Sequence, residues 1–230
     1  MNFSFIPTVA KSATWYTLVT LTATAILFLS FEPTVSHSGF ASPNTFTVSQ
    51  QILGEISFLV TTPNVTMNGA INGLTGGTAT GSTQAVVQTN SATGYTMDIT
   101  FGSSTPAMLG NVTGGTGIRD YAASTTGATF AFVASTSAVF AYTVSASNTL
   151  DVAQAFRDDG TLCGVSTGDT ANACWRGPTT TAVRIVSRTS AATNGATTTI
   201  QFRVNVPNNP SPSVNADTYT ATATLTAVNQ

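Results

Sequence analysis

The chain has 230 residues, of which 42% are hydrophobic and only 7% are charged, and its formal net charge is −2. The apolar content excludes a wholly disordered chain, because such chains lack the hydrophobic residues that offset the entropy of folding. The seven basic residues are scattered and form no basic stripe of the kind that neutralises phosphates, so nucleic-acid binding is not expected.

The N-terminal region contains an uncharged apolar stretch, residues 15–31, which follows the only lysine, Lys11. This order is typical of an export signal that is cleaved among the small residues around the only histidine, His37. A retained membrane anchor is the alternative, in which the membrane is contacted only through residues 15–31. Both interpretations place the remainder outside the cytoplasm, and they divide the chain into residues 1–41 and a single domain at 42–230.

Beyond this leader, apolar and polar residues alternate with period two, as in strands that bury one face. The alternation is strictest in segments 95–101, 200–206 and 219–226. Threonine supplies much of the polar face there, which suits a strand because β-branched side chains fit a pleated surface. Weaker alternation predicts further strands at 45–49, 55–60, 85–89, 129–133, 138–144 and 182–187.

No segment keeps helical periodicity for three turns, and residues 150–157 could form one helical turn within a loop. About nine strands with Gly- and Asn-rich connections predict an all-β fold. We expect an antiparallel β-sandwich of the Ig-like or Greek-key kind, preceded by the N-terminal signal or anchor helix. Three long connections, at 68–82, 102–127 and 145–178, could carry a binding site or serve as surface cover.

The two cysteines, Cys163 and Cys174, lie in one long loop, and in an exported chain this pattern predicts a disulfide. The bond would pin its own loop rather than hold the fold together. Two thiols in a mature chain without histidine do not make a zinc site, and their spacing is too wide for Cys-x-x-Cys redox chemistry. We expect no cofactor.

Three carboxylates near this loop, Asp158, Asp159 and Asp169, could supply the oxygen ligands that calcium prefers. The alternative is a turn at Asp158-Asp-Gly160, in which the aspartates accept hydrogen bonds from nearby backbone. No EF-hand or calcium-binding repeat accompanies these residues, so the sequence favours the turn.

Without histidine or lysine, the mature chain cannot use the serine or cysteine nucleophiles that depend on an imidazole or amine base. Only a carboxylate pair of the glycosidase type remains possible. The carboxylates available for such a pair are Glu55, Asp98, Asp120, Asp151, Asp158, Asp159, Asp169 and Asp217. Because some of them lie on polar strand faces or in turns, we expect no catalytic residues and no enzyme activity.

Two aromatic residues of the long loops, Trp175 and Tyr121, are candidates for ligand binding, with Trp175 as a sugar-stacking platform. Trp175 directly follows Cys174, so its ring could instead pack against the disulfide, and packing is the favoured interpretation. Residues 217–219 resemble the start of a tyrosine corner, in which the hydroxyl of Tyr219 bonds to upstream backbone.

Two runs near the C-terminus, Thr197-Thr-Thr-Ile-Gln-Phe-Arg-Val-Asn-Val-Pro207 and Asp217-Thr-Tyr-Thr-Ala-Thr-Ala-Thr-Leu225, carry a resemblance. They are similar to the closing strands of exported spore-coat-U-like and pilin-like subunits, although Asp217 stands where those subunits have glycine. The runs Phe46-Thr-Val-Ser-Gln50, Asn72-Gly-Leu-Thr-Gly-Gly77 and Gly94-Tyr-Thr, with the cysteine loop, resemble uncharacterised surface proteins of uncultured small-genome bacteria. The resemblance implies an exported surface β-sandwich protein and brings no catalytic residue.

These features predict a non-enzymatic protein, secreted or at the cell surface, with a structural or interaction role such as a fibre or pilus-like subunit. In such a subunit the first strand region, with Phe46, Val48, Ile56 and Phe58, would be added to the open sheet edge of another copy. The alternative function is an adhesin that binds glycans or another surface through the long loops.

Overall fold

The computed structural model describes residues 45–103, 105–112, 117–122, 127–133 and 135–230. The predicted signal or anchor helix lies outside these ranges. Within them, no helix has the length and apolar character needed to cross a membrane.

The chain divides into two units at Gln50. Residues 45–50, in the first unit, have no regular secondary structure. The second unit, Gln51–Gln230, holds every strand described below.

Ten strands and two short 3₁₀ turns make up the regular structure of the described residues. The strands are β1 (Ile56–Val60), β2 (Gly77–Thr89), β3 (Tyr95–Phe101), β4 (Met108–Gly110), β5 (Gly117–Asp120), β6 (Val139–Ala146), β7 (Val183–Arg188), β8 (Ala192–Val206), β9 (Tyr219–Thr220) and β10 (Ala223–Asn229). The 3₁₀ turns, Thr149–Asp151 and Gln154–Phe156, fall where the sequence predicted at most one helical turn. The prediction of an all-β protein is confirmed.

The strands form two sheets of unequal size. The larger sheet has seven strands in the order β1-β2-β8-β6-β5-β4-β9, and the smaller has three in the order β10-β3-β7. All neighbours pair antiparallel except β5 and β6, which run parallel. A purely antiparallel arrangement was therefore wrong at this pair, because residues 121–138 are long enough to cross back to the end at which β5 began.

One hydrophobic core contains side chains from both sheets. The apolar face of β3 is at most 4% exposed, from Tyr95 to Phe101, as its strict alternation predicted. Across the core, the ring of Phe101 lies 5.4 Å from Tyr142 and 6.1 Å from Phe140, both on β6. These contacts pack the inner faces of the two sheets against each other.

Two predicted strands do not form. Residues 45–49 alternate like a strand but take no strand conformation. Residues 129–133 contribute only an isolated bridge between Thr129 and Trp175. Phe130 packs against the cluster that contains Cys174, and Phe132 packs against the cluster that contains Trp175.

Two other segments have different bounds from those predicted. The 219–226 strand splits, because β9 pairs with β4 in the larger sheet whereas β10 pairs with β3 in the smaller one. Strands β2 and β8 extend through glycine- and threonine-rich sequence and pair along nearly their whole length. The long 68–82 loop is therefore shorter than predicted, and its second part is a central strand.

Candidate functional site

The side of β10 that faces away from β3 is the candidate interaction site. The carbonyl of Thr222 accepts from the N–H of Gly102 (2.9 Å), and the N–H of Gln230 donates to the carbonyl of Gly94 (3.0 Å). These bonds show that the even-numbered residues exchange hydrogen bonds with β3. In an antiparallel ladder the odd-numbered residues of β10 then direct their N–H and C=O groups to the other side. No strand of the described residues pairs there.

This edge of β10 carries none of the usual protection against pairing. Its sequence, ATLTAVN, has no charge and no proline, and Val228 is 55% exposed. Natural edge strands are commonly blunted by lysine, proline or a bulge, because a row of unpaired backbone groups is a template for another strand. Strand β10 therefore offers an open and chemically neutral edge.

The facing strand of the larger sheet is incompletely covered beside this edge. Phe58 of β1 lies directly opposite Val87 in the ladder, so both side chains point inward. Val87 is fully buried, whereas Phe58 is 40% exposed. The hydroxyl of Thr89 donates to Oδ1 of Asn229 (2.6 Å), which holds the end of β10 against β2. The edge strands β1 and β10 therefore lie close together on the same side of the unit, with Phe58 partly exposed on β1.

The residues before β1 expose apolar side chains. Phe46, Val48 and Ile52 are 82–83% exposed. These three residues are separated by even numbers of positions, so they share one face of an extended chain. We call residues 46–52 the apolar segment. This segment alternates like a strand, but the structure has no strand there.

The predicted disulfide between Cys163 and Cys174 is confirmed, and the two cysteines are 11 positions apart. The loop is also closed at its base, where Asp158 and Gly168 exchange two backbone hydrogen bonds of 3.0 and 3.1 Å. A disulfide of this kind is typical of proteins in an oxidising compartment.

Asp158 holds the base of this loop through its carboxylate. It accepts from the N–H of Gly160 (2.8 Å) and from the N–H and hydroxyl of Thr170 (2.7 and 2.5 Å). Burial alone would raise the pKa of Asp158, but these hydrogen bonds outweigh it and hold the pKa below its ordinary value. The ionised carboxylate is therefore part of the loop structure.

Asp159 also stabilises a turn, accepting from Thr161 and from the N–H of Leu162 (2.8 Å), which lowers its pKa. Burial and the charge of Asp158 raise the pKa of Asp169. In the described part of the chain, no three His, Cys, Asp or Glu side chains converge as metal ligands. Asp158 and Asp159 thus form the turn that the sequence favoured, and the calcium hypothesis for Asp158, Asp159 and Asp169 stays a prediction.

Trp175 and Tyr121 are 1% and 7% exposed, so neither offers a face on which a sugar could stack. Tyr121 stacks on Phe132 with ring centroids 4.8 Å apart, and Trp175 meets the same ring edge-on at 5.6 Å. The guanidinium of Arg203 lies 4.3 Å from the Phe132 centroid. Packing of Trp175 is thus confirmed, but against Phe132 rather than the disulfide, and the ligand-binding role of both residues is corrected.

Several carboxylates that sequence reasoning left for catalysis are engaged in structural bonds. These bonds join Asp98 to Arg184, Asp151 to Arg188, Asp120 to the N–H of Ala107, and Asp217 to the N–H of Val112.

The hydroxyl of Tyr219 donates to the carbonyl of Asn215 (3.0 Å), which confirms the tyrosine corner.

Sequence reasoning missed the β10 edge as a site. The available signal was a strongly alternating last strand without charge or proline, but only the sheet order shows which strand lies at an edge.

Comparisons with known proteins add no relative: no protein-family model matches the chain, and no curated protein or solved structure matches it. The resemblance to spore-coat-U-like and pilin-like subunits stays a prediction that rests on short runs of sequence.

Proposed function

We propose that this protein is a non-enzymatic structural subunit that works outside the cytoplasm and assembles with further copies by strand addition. The observation that supports it is the coexistence of the exposed apolar segment, residues 46–52, with the open edge of β10. The segment has exposed apolar side chains, and the edge of β10 has backbone groups that pair with no strand of the described residues.

In the proposed contact, the apolar segment of one copy lies beside β10 of the next. Its backbone pairs with the odd-numbered residues of β10, as in other cases of strand addition. Its apolar face, with Phe46 and Val48, covers Phe58 on β1, which is 40% exposed in the single copy. A charged partner strand would gain no electrostatic attraction here, because the β10 edge is uncharged.

The unequal sheets support the same arrangement. We take the two sheets to form a β-sandwich related to the Ig-like and Greek-key folds, in which the three-stranded layer accepts a further strand from a neighbour. The first strand region then connects copies in a fibre, with β1 at residue 56 remaining in its own subunit and residues 46–52 crossing to the next one.

The test compares the mature chain, residues 42–230, with a version that lacks residues 42–52. We expect filaments or large oligomers of the mature chain by electron microscopy and analytical ultracentrifugation. The shortened chain should stay monomeric and folded, because the removed residues supply the contact and the compact unit begins only at Gln51. A mature chain that stays monomeric at high concentration would contradict the proposal.

A matched pair of variants tests whether assembly depends on the apolar face of the segment or only on the presence of these residues. Phe46→Asp with Val48→Asp places charge on the face that would be buried between copies, so assembly should be lost. Thr45→Asp with Thr47→Asp places the same charge on the opposite face of the extended segment and should retain assembly. Equal behaviour of the two pairs would count against a strand with one buried face.

A second candidate is an adhesin that uses the long loops. It is favoured by Leu162 and Val165, which are 61% and 57% exposed on the disulfide-closed loop. Since Trp175 and Tyr121 are buried, such an adhesin would contact its glycan or surface through this loop instead. Glycan-array binding that is lost in Leu162→Ser with Val165→Ser would support the adhesin over the fibre subunit.

A further inference from the structure

We infer that Asn64 is an acceptor for N-linked glycosylation. Residues Asn64-Val65-Thr66 form an Asn-x-Thr triplet without proline at the middle position, which is the pattern that N-glycosylation requires. The inference rests on the proposed location outside the cytoplasm, but it does not depend on assembly.

The reaction needs a co-substrate of defined class, an oligosaccharide linked to a lipid pyrophosphate, and an oligosaccharyltransferase. The side-chain nitrogen of Asn64 forms a bond to the anomeric carbon of the sugar. The bond from that carbon to the pyrophosphate oxygen breaks, its electron pair leaves with the lipid pyrophosphate, and the amide loses one proton. The hydroxyl of Thr66 is the group that marks the asparagine as an acceptor.

The local backbone presents both required side chains to solvent. Residues 61–67 have no regular secondary structure, and Asn64 and Thr66 are exposed while Val65 between them is half-buried. Val65 packs against the core beside Gly81, where a Cβ would lie only 2.5 Å from its Cγ1. Val65 thus anchors the segment, and its two neighbours point outward.

The segment is also held at its start, because the carbonyl of Pro63 accepts from the hydroxyl of Thr83 (2.9 Å). The side chains of Asn64 and Thr66 themselves make no hydrogen bond to the described residues. The acceptor amide is therefore free to enter an enzyme without breaking a bond of the fold.

A second triplet, Asn111-Val112-Thr113, is less suitable. Oδ1 of Asn111 accepts from the hydroxyl of Thr220 (3.1 Å), and its N–H donates to the carbonyl of Thr218 (3.0 Å). Both bonds would survive the modification, because the sugar is added to Nδ2, but they hold Asn111 against residues 218–220, whereas the Asn64 side chain makes no such bond. The structure thus distinguishes two triplets that the sequence makes equal.

A glycan on Asn64 would start shortly after β1, beside Leu59 and Val60, which are 48% and 50% exposed. With 7% charged residues, the chain has few groups that bind water strongly, and carbohydrate would hydrate this apolar surface.

The test is mass spectrometry of the protein recovered from outside its native cells. A chymotryptic peptide that contains Asn64 should carry a glycan, and amidase release in heavy-oxygen water should leave a labelled aspartate at position 64. Exported protein with unmodified Asn64 would overturn this inference and leave the proposed assembly standing. Protein found only in the cytoplasm would overturn both, whereas glycosylated protein that never assembles would overturn the proposed function alone.

Variants at position 66 test the chemistry. Thr66→Ser keeps a hydroxyl and should retain the glycan, whereas Thr66→Val keeps the shape and should lose it. Both should fold alike because Thr66 is exposed. Asn111→Gln should leave the glycan on Asn64 unchanged. A glycan that persists on Asn64 in Thr66→Val would overturn the assignment of an Asn-x-Thr acceptor.

Discussion

The two edges of the smaller sheet, β7 and β10, have opposite surroundings. Strand β7 is covered by the segment that contains the 3₁₀ turns: Ala153 donates to the carbonyl of Ile185 (2.9 Å), and Val152 bridges Val186. Among the described residues, no strand pairs with the outer side of β10, although β1 lies close to it. The same sheet is thus closed by its own chain on one side and open on the other.

The difference shows that one edge of a sheet can contribute to stability while the other stays available for interaction. In the covering segment, Val152 and Ala153 are 0% and 5% exposed, and Oδ2 of Asp151 lies 2.5 Å from Nη1 of Arg188. These contacts contribute to the stability of a single copy. The odd-numbered backbone groups of β10 pair with no strand of the described residues, so they remain available to a partner.

The largest effect on stability is expected at the closed edge. Arg188→Ala would leave Asp151, which is 6% exposed, without its ion pair, at a cost of about 4 kcal/mol in the free energy of unfolding. Denaturant unfolding measures this cost. Arg184→Ala on the same strand is the control, because its pair with Asp98 is exposed and should contribute less than about 1 kcal/mol. Similar losses in the two variants would show that the cover is not held by its buried charge.

The disulfide loop, which follows the covering segment, is expected to matter less. Reduction of Cys163–Cys174 removes a crosslink worth about 3 kcal/mol at most, because the ring it closes is short. Hydrogen exchange should speed up in residues 158–176 and stay slow in β7, which is tied to the cover by separate hydrogen bonds. Fast exchange in β7 after reduction would mean that the loop, and not the buried ion pair, keeps this edge closed.

Strands with one buried face were predictable from the sequence, as β3 shows. Its apolar residues are buried on a regular face, so the alternation records burial directly. The first halves of β2 and β8 were not predictable in this way. They carry glycine, threonine and serine, and they become strands because β2 and β8 pair antiparallel, so that the first half of each strand pairs with the second half of the other. Such pairing joins distant parts of the chain and leaves little trace in local sequence.

The candidate site was predictable only in part, for the same reason. The apolar pattern of residues 46–52 marked one half of the proposed contact. The other half depends on the split of segment 219–226, which sends β9 to one sheet and β10 to the edge of the other. The alternation of residue types continues through that split, although the chain passes there from one sheet to the other. The burial of Trp175 was similarly decided by Phe132, a residue distant in sequence.

The smallest effect on stability is expected at the open edge, where Ala227→Pro tests the comparison most directly. The N–H of Ala227 points away from β3, so proline removes no hydrogen bond from the single copy and is tolerated at such edge positions. The free energy of unfolding should change by less than about 1 kcal/mol.

Assembly should nevertheless be lost in Ala227→Pro, because the ring removes a donor and obstructs an added strand. Ala227→Val is the control, since it keeps the N–H and should still assemble. Sedimentation at equal protein concentration measures both. If Ala227→Pro assembles like the parent chain, copies do not join through β10. If it unfolds, the outer side of β10 is already in use within its own subunit, and the two edges are not as different as the sheet order indicates.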